Sequence, residues 1–261
     1  MASFALNEMT IFRLLILITC VSTIILCLFY QLRKHGIAKY LNYKGYSNSN
    51  IFTLFISIYA FFLGFSIVTL WNQIVSARQA TTNEAVSLMT TYTAAIPLKS
   101  SNAFRNSIIE YINIVISEEW PLMDSQSKMS QKAWDKLDII WSQFTEVKAH
   151  NEDQRNICDI VFNALSQSCE HRIGRNIMLY GNLYPLIWII LIIGFCAILI
   201  EMLFQDIGNH IARALFEFFT IFLLISCLYL IYDMGMPFSG LVRVDAHAFR
   251  EVGAYINQMS K

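Results

Sequence analysis

The stretch Ile51–Arg78, IFTLFISIYAFFLGFSIVTLWNQIVSAR, decides the fold. No charged residue occurs between Lys44 and Arg78. A bilayer's hydrocarbon core is about 30 Å thick and needs about 20 apolar residues at 1.5 Å each. Ile51–Trp71 meets that requirement, and the uncharged continuation predicts a helix that runs on beyond the membrane. Three further runs share this character: Leu14–Leu32, about Tyr180–Leu203 and about Ile211–Tyr232. The first reads as a retained anchor, because it ends in Phe29-Tyr30-Gln31 with no small-residue cleavage site. Tyr180, Tyr184 and Trp188 suit a membrane interface, and Pro185 sits where a helix start tolerates it.

Between Arg78 and Arg175 charges return while helical periodicity persists. Phe104, Ile108, Tyr111, Ile112 and Val115 share one face at three-to-four spacing, as do Trp134, Leu137, Trp141 and Phe144. Ile157, Val161 and Leu165 make a third, shorter stripe. Pro97 and Pro121 read as helix ends, and Asp124–Ser130 as a loop. No alternating strand pattern occurs. The expected fold is therefore all-α: an integral membrane protein with four transmembrane helices in two hairpins and an intervening helical extramembrane domain. The expected divisions are 1–77 (spans about 12–32 and 51–73), 78–178 for the extramembrane domain, 179–235 (spans about 180–203 and 211–232), and a tail, 236–261, packing on the extramembrane domain.

Composition narrows the function. The 261 residues are 56% hydrophobic and 15% charged, against about 25% charged in soluble domains. Lys plus Arg and Asp plus Glu are both 19, so no basic excess points to nucleic acid. The five histidines form no zinc spacing, and neither a GxSxG nor a phosphate loop is present. No enzyme, cofactor or metal is expected. Four of the six cysteines lie in apolar runs. Cys158 and Cys169, eleven positions apart, read as free thiols in preference to a disulfide, which needs an oxidising compartment.

Three segments carry a resemblance. They are Phe61-Phe62-Leu63-Gly64-Phe65 with Trp71-Asn72-Gln73; Ala77-Arg78-Gln79-Ala80 and Asn83-Glu84-Ala85 with Tyr111 and Glu118-Glu119-Trp120-Pro121; and Arg172 and Arg175 with Pro185-Leu186-Ile187-Trp188 and Pro237-Phe238-Ser239-Gly240. In order and placement this set resembles a bacterial family of membrane proteins called bestrophin-like, over about residues 51–252, and more distantly the bestrophin anion channels. The resemblance implies a homo-oligomer, a pentamer, in a bacterial inner membrane, with lipid and small ions as partners. It places Phe61 and Phe65 at a hydrophobic neck, with Ser57 where another apolar neck residue is expected. No acidic run like the bestrophin calcium clasp follows Pro237-Phe238, so calcium activation is not implied. A non-conducting scaffold or sensor of the same architecture is the alternative.

Phe61 and Phe65, four residues apart, share a helix face. Copies around an axis would stack aromatic rings into a constriction that gates by dewetting; the plain alternative is contact with lipid or a neighbouring helix. Val68 or Thr69 would continue the stripe, and Gly64 would lie against an adjacent helix. Glu217 is an ionisable group within a span, either functional or at the interface with its carboxylate in water, and Arg213 one turn earlier is its candidate partner. Glu84 either faces a vestibule or pairs with Arg172 or Arg175. Arg78 or Arg175 would supply positive charge favouring anions. Glu118 and Glu119, at a helix end, call for an arginine. Asp233 either contacts a cation or caps a helix.

Orientation is contested. The segment Gln31–Asn50 carries Arg33, Lys34, Lys39 and Lys44 and no acid, which places it in the cytoplasm and the extramembrane domain outside. The bestrophin resemblance implies a cytosolic domain.

Overall fold

The structure, a computed structural model, describes residues 2–34, 49–98, 101–181, 183–204 and 210–259. Lys39 and Lys44 fall outside the described residues. Among those described, the regular elements are all helical: α1 (Ala2–Lys34), α2 (Ser49–Ala94), α3 (Asn102–Ile114), a π-helical turn (Val115–Glu119), α4 (Trp120–Gln126), α5 (Gln131–Thr145), α6 (Glu152–Met178), α7 (Pro185–Phe204), α8 (His210–Met234) and α9 (His247–Met259). Among the described residues, four stretches are long and apolar enough to cross a bilayer: Ile11–Lys34, Phe52–Ala94, Pro185–Leu203 and His210–Met234. The chain is an integral membrane protein. Its third span begins at Pro185, whose missing N–H costs nothing at a first helical position.

The chain divides into two compact units, Met1–Leu70 with Leu183–Gly235, and Trp71–Asn182 with Met236–Lys261. In the first, α1 and α7 both pack on α8. Ile18, Phe29, Leu63, Leu191, Ile198, Ile221 and Ile231 fill the seams. Tyr59 of α2 reaches α7, where its hydroxyl donates to the Leu191 carbonyl at 3.0 Å. Its ring lies over Gly194, and a side-chain carbon there would overlap that ring. Glycine at 194 is what lets α2 and α7 approach.

In the second unit, α3 packs on α5, and α9 packs on α3 and the π-turn. Phe104, Ile108, Tyr111, Ile112 and Val115 are all buried, joined by Ala133, Leu137 and Ile140 from α5 and Phe249 and Ile256 from α9. The cap chemistry is local: Ser130 accepts from the Ala133 amide at the start of α5, and Asn151 accepts from the Gln154 amide at the start of α6. Glu152 and Asp153 in the first turn of α6 and Arg175 in its last suit the helix dipole.

Two sequence expectations change here. Pro121 does not end a helix. The preceding turn widens, so that the Trp120 amide donates to the Val115 carbonyl, five residues back. This relieves the clash a proline makes with the turn before it, and the chain stays helical to Gln126. The loop therefore starts at Ser127, which takes a left-handed conformation (φ 51°), and not at Asp124.

Candidate functional site

Arg172 and Arg175 lie three apart on α6, so their guanidinium groups leave the same face. Both are fully buried, as are Glu84 of α2 and Glu119 of the π-turn. Arg175 donates to Glu84 through Nε (2.8 Å to Oε2) and Nη2 (3.0 Å to Oε1), and Nη2 also donates to Glu119 Oε1 at 2.8 Å. Arg172 grips Glu119 with both terminal nitrogens, at 2.9 and 2.6 Å. The Tyr111 hydroxyl closes the ring: it accepts from Arg172 Nη1 at 2.8 Å and donates to Glu84 Oε1 at 2.6 Å. Five side chains from α2, α3, the π-turn and α6 thus form one closed circuit whose charges sum to zero.

Aromatic faces enclose the circuit. Arg172 lies 4.3 Å from the Trp134 ring centroid, and Arg175 lies 5.1 and 5.5 Å from those of Trp120 and Phe249. Such contacts replace part of the hydration a buried guanidinium loses. Glu119 also accepts from the Ser130 amide at 3.1 Å, which ties the start of α5 to the circuit. The adjacent Glu118 points the other way and pairs with Lys132.

Burial alone would raise the Glu119 pKa, but the Arg175 and Arg172 charges and hydrogen bonds outweigh it and hold the carboxyl below its ordinary value. Burial, reinforced by the Glu84 carboxylate, pushes Tyr111 well above its usual 10. Burial opposes charge on the arginines too, yet Tyr111, Glu119 and Glu84 hold both more firmly protonated than usual. Tyr111, Glu119 and both arginines are therefore each held in one charge state across the neutral range. The circuit works as a clamp rather than a proton-transfer site.

Glu84, Arg172 and Arg175 are thus interior groups, paired with one another and turned away from solvent. Arg175 brings no exposed positive charge. Arg78, by contrast, is exposed on α2 and stands apart from the circuit.

In the first unit α2 is two-faced. Tyr59, Leu63, Ser66 and Leu70 are buried, while Phe61 (70% exposed), Phe65 (58%) and Val68 (58%) point outward. The Phe61 and Phe65 rings stack with centroids 6.4 Å apart and planes 18° from parallel. Ser57, also exposed, donates its hydroxyl to the Thr53 carbonyl at 2.8 Å, and Thr69 donates to that of Phe65 at 2.9 Å. Those hydroxyls are satisfied within the helix. A side-chain carbon at Gly64 would meet nothing within 4 Å, so the expected contact with an adjacent helix is not made among the described residues of one chain.

Glu217 is buried, not in water, and Arg33 pairs with it. Arg33 Nη2 and Nη1 donate to its two oxygens at 2.6 and 3.1 Å. The same guanidinium donates to the carbonyls of Met202 and Leu203 at the end of α7. Apolar periodicity hides this pairing, because it joins positions 184 residues apart. Asp233 is buried at the end of α8. No group of three or more potential metal ligands occurs among the described residues.

The cysteines of the described residues are free. Cys158 and Cys169 both lie on α6, about 16 Å apart at 1.5 Å per residue, too far for an intrachain bridge. The indole of Trp141 donates to Cys169 Sγ at 3.2 Å, and burial pushes that thiol's pKa up.

Sequence reading missed Arg33 as an interior ion-pair partner, the Tyr111 hydroxyl as the link in the circuit, and Trp134 and Phe249 as its walls. Tyr111 and Glu119 were visible as members of the motif set, but their convergence depends on the π-turn.

Four apolar spans, a helical extramembrane unit and an arginine–glutamate clamp within it define a class of all-helical membrane proteins. The chain belongs to the bestrophin-like family: the model of the Bestrophin-like domain matches residues 48–249. No curated protein matches the sequence. Among solved structures, a bacterial bestrophin homologue from Klebsiella pneumoniae carrying a leucine-to-threonine substitution is similar, with a TM-score of 0.71 at 12% identity, covering 94% of this chain and 98% of that one. A structure of the Klebsiella pneumoniae homologue phased on zinc gives 0.68 at 15%, covering 96% and 98%. A further crystal structure, described as a membrane protein, gives 0.68 at 14% over the same shares. These likenesses establish the fold.

Proposed function

We propose that the protein is a homo-oligomeric bestrophin-like channel that passes small ions, anions preferentially, through a hydrophobic neck built by Phe61 and Phe65. The observation that carries this reading is the outward, stacked Phe61–Phe65 pair on an exposed face of α2 that no other described helix covers. Family membership supports it. One protomer cannot enclose a path along a single helix, whereas a closed ring of copies can, and the family resemblance favours five. In such a ring the phenylalanines would form stacked apolar collars with Ser57 one turn away. Arg78, exposed on α2, would supply the charge that favours anions, since Arg172 and Arg175 are neutralised internally. The membrane would be the bacterial inner membrane.

Recording from the purified, folded oligomer in planar bilayers tests the proposal. Unitary currents reversing toward the anion equilibrium potential are expected. Silence under every ionic condition would favour the scaffold alternative. Mass measurement in nanodiscs is expected to show a ring-sized oligomer, and a strict monomer would count against conduction.

A further inference from the structure

α2 is one unbroken helix from Ser49 to Ala94. Positions on it advance by about 100° per residue, so the face that carries Phe61, Phe65 and Val68 continues through Asn72, Val75, Gln79, Asn83 and Val86. All five of these are exposed. Gln79 lies about five helical turns beyond Phe61, and Asn83 about five turns beyond Phe65, so each carboxamide repeats the direction of a phenylalanine. The opposite face stays buried, at Leu70, Ala77 and Leu88.

Composition sets the exposed face apart. A helix exterior in water normally carries charge, and α6 exposes Glu152, Asp153, Arg155, Asp159 and Glu170. From Phe61 to Val86 the exposed face of α2 has none. Its polar side chains there are the three carboxamides, each with two N–H donors and one carbonyl acceptor. Nearby hydroxyls are spent on the backbone: Thr69 donates to the Phe65 carbonyl at 2.9 Å and Thr90 to that of Val86 at 3.0 Å. Glu84 is turned into the buried circuit. Arg78 is exposed but stands about 100° round the helix from Phe61 and Gln79, where it supplies field rather than contact.

An ion that crosses an apolar collar needs ligands to replace lost water, yet must be held weakly enough to move on. Neutral amides meet both needs, and their N–H groups suit an anion. We infer that Asn72, Gln79 and Asn83 line the ion path further along α2 from the phenylalanine collars, their carboxamides contacting the ion and setting its selectivity while Arg78 biases them toward anions from the flank. This rests on the channel reading above.

The test records from the full-length oligomer in planar bilayers under a potassium chloride gradient and reads the chloride-to-potassium permeability ratio. Gln79→Glu puts a ring of carboxylates on the path, and the ratio should fall by about tenfold or more. Asn72→Asp should act in the same direction. Asn163→Asp makes the same charge change on the exposed side of α6 and should leave the ratio within about twofold of the parent's. Should the acidic variants not assemble, Gln79→Cys stays neutral through assembly, and a sulfonate-bearing methanethiosulfonate then adds the charge in place. The ratio should fall as for Gln79→Glu, with no change in the parent protein treated alike. Currents whose ratio is unmoved by the charge at position 79, or an equal fall for Asn163→Asp, would overturn this assignment and leave the channel reading standing. A parent protein that passes no current overturns the channel reading and this inference with it.

Discussion

The two units bury the same chemistry in different ways. In the membrane unit a single arginine, Arg33, meets a single glutamate and completes its hydrogen bonds on the backbone carbonyls that end α7. In the extramembrane unit two arginines and two glutamates, with no side-chain exposure, pair mainly with one another and with a tyrosine, and Glu119 also accepts from the Ser130 amide. The first arrangement joins helix ends and keeps some access, with Arg33 17% exposed. The second lies deep in a helical packing and joins four segments. A buried charge must find partners wherever it sits. Near a helix terminus, unpaired carbonyls supply them; within the circuit, other side chains supply most of them, with one backbone amide from Ser130.

Breaking the circuit should have the largest effect. Arg175→Ala removes the arginine hydrogen-bonded to Glu84 and one of the two on Glu119, and is expected to destabilise the extramembrane unit by about 3–5 kcal/mol, seen as a lower unfolding midpoint and rapid proteolysis between residues 78 and 178. If the two regions were equivalent, Arg33→Ala would match it. Because Arg33 is partly accessible and water can reach its neighbours, a smaller loss of about 2–3 kcal/mol is expected. Adding Glu217→Gln to Arg33→Ala should restore part of it by removing the stranded charge. A double-mutant cycle on thermal unfolding in detergent measures the difference.

Tyr111→Phe sharpens the contrast, since it removes one hydroxyl and leaves every formal charge in place. About 1.5–3 kcal/mol should be lost, as for hydrogen bonds to charged groups. The circuit also has a pH signature. Glu119 is held below its ordinary value of 4.5, so its stabilisation is present above pH 4.5 and is lost as pH falls through the lower folded value. Tyr111 is raised above 10, so its contribution is present below pH 10 and declines as pH rises beyond it. Thermal midpoints should therefore stay level through neutrality and drop at both extremes. Glu119→Gln should flatten the acid limb, and Tyr111→Phe the alkaline one.

The smallest stability change belongs to Phe65. It is 58% exposed in the protomer, so Phe65→Ala should cost well under the roughly 3–5 kcal/mol of a core phenylalanine, while chloride leak from proteoliposomes rises. A large stability loss with unchanged leak would show that Phe65 packs between subunits instead of lining a path.

What could be read in the chain alone follows from short-range physics. Span number and approximate limits come from length and hydropathy, because a bilayer demands an uninterrupted apolar run. The stripe Phe104–Val115 foretold the buried face of α3, because helical periodicity is local. The long reach of α2 beyond its span was legible as a missing charge. Glu84, Arg172 and Arg175 could be singled out by resemblance and by their placement beside spans.

Only the tertiary structure decided how these residues are used. The widened turn before Pro121 turns Glu119 inward and leaves Glu118 outside, a choice made by a change in helical register that neighbouring identical residue types do not reveal. Arg33 pairs with Glu217 because α1 packs on α8. Local sequence sets which segments are helical and which faces are apolar. Which buried charges meet is set by helix packing over separations of 27 to 184 residues, where periodicity carries no signal.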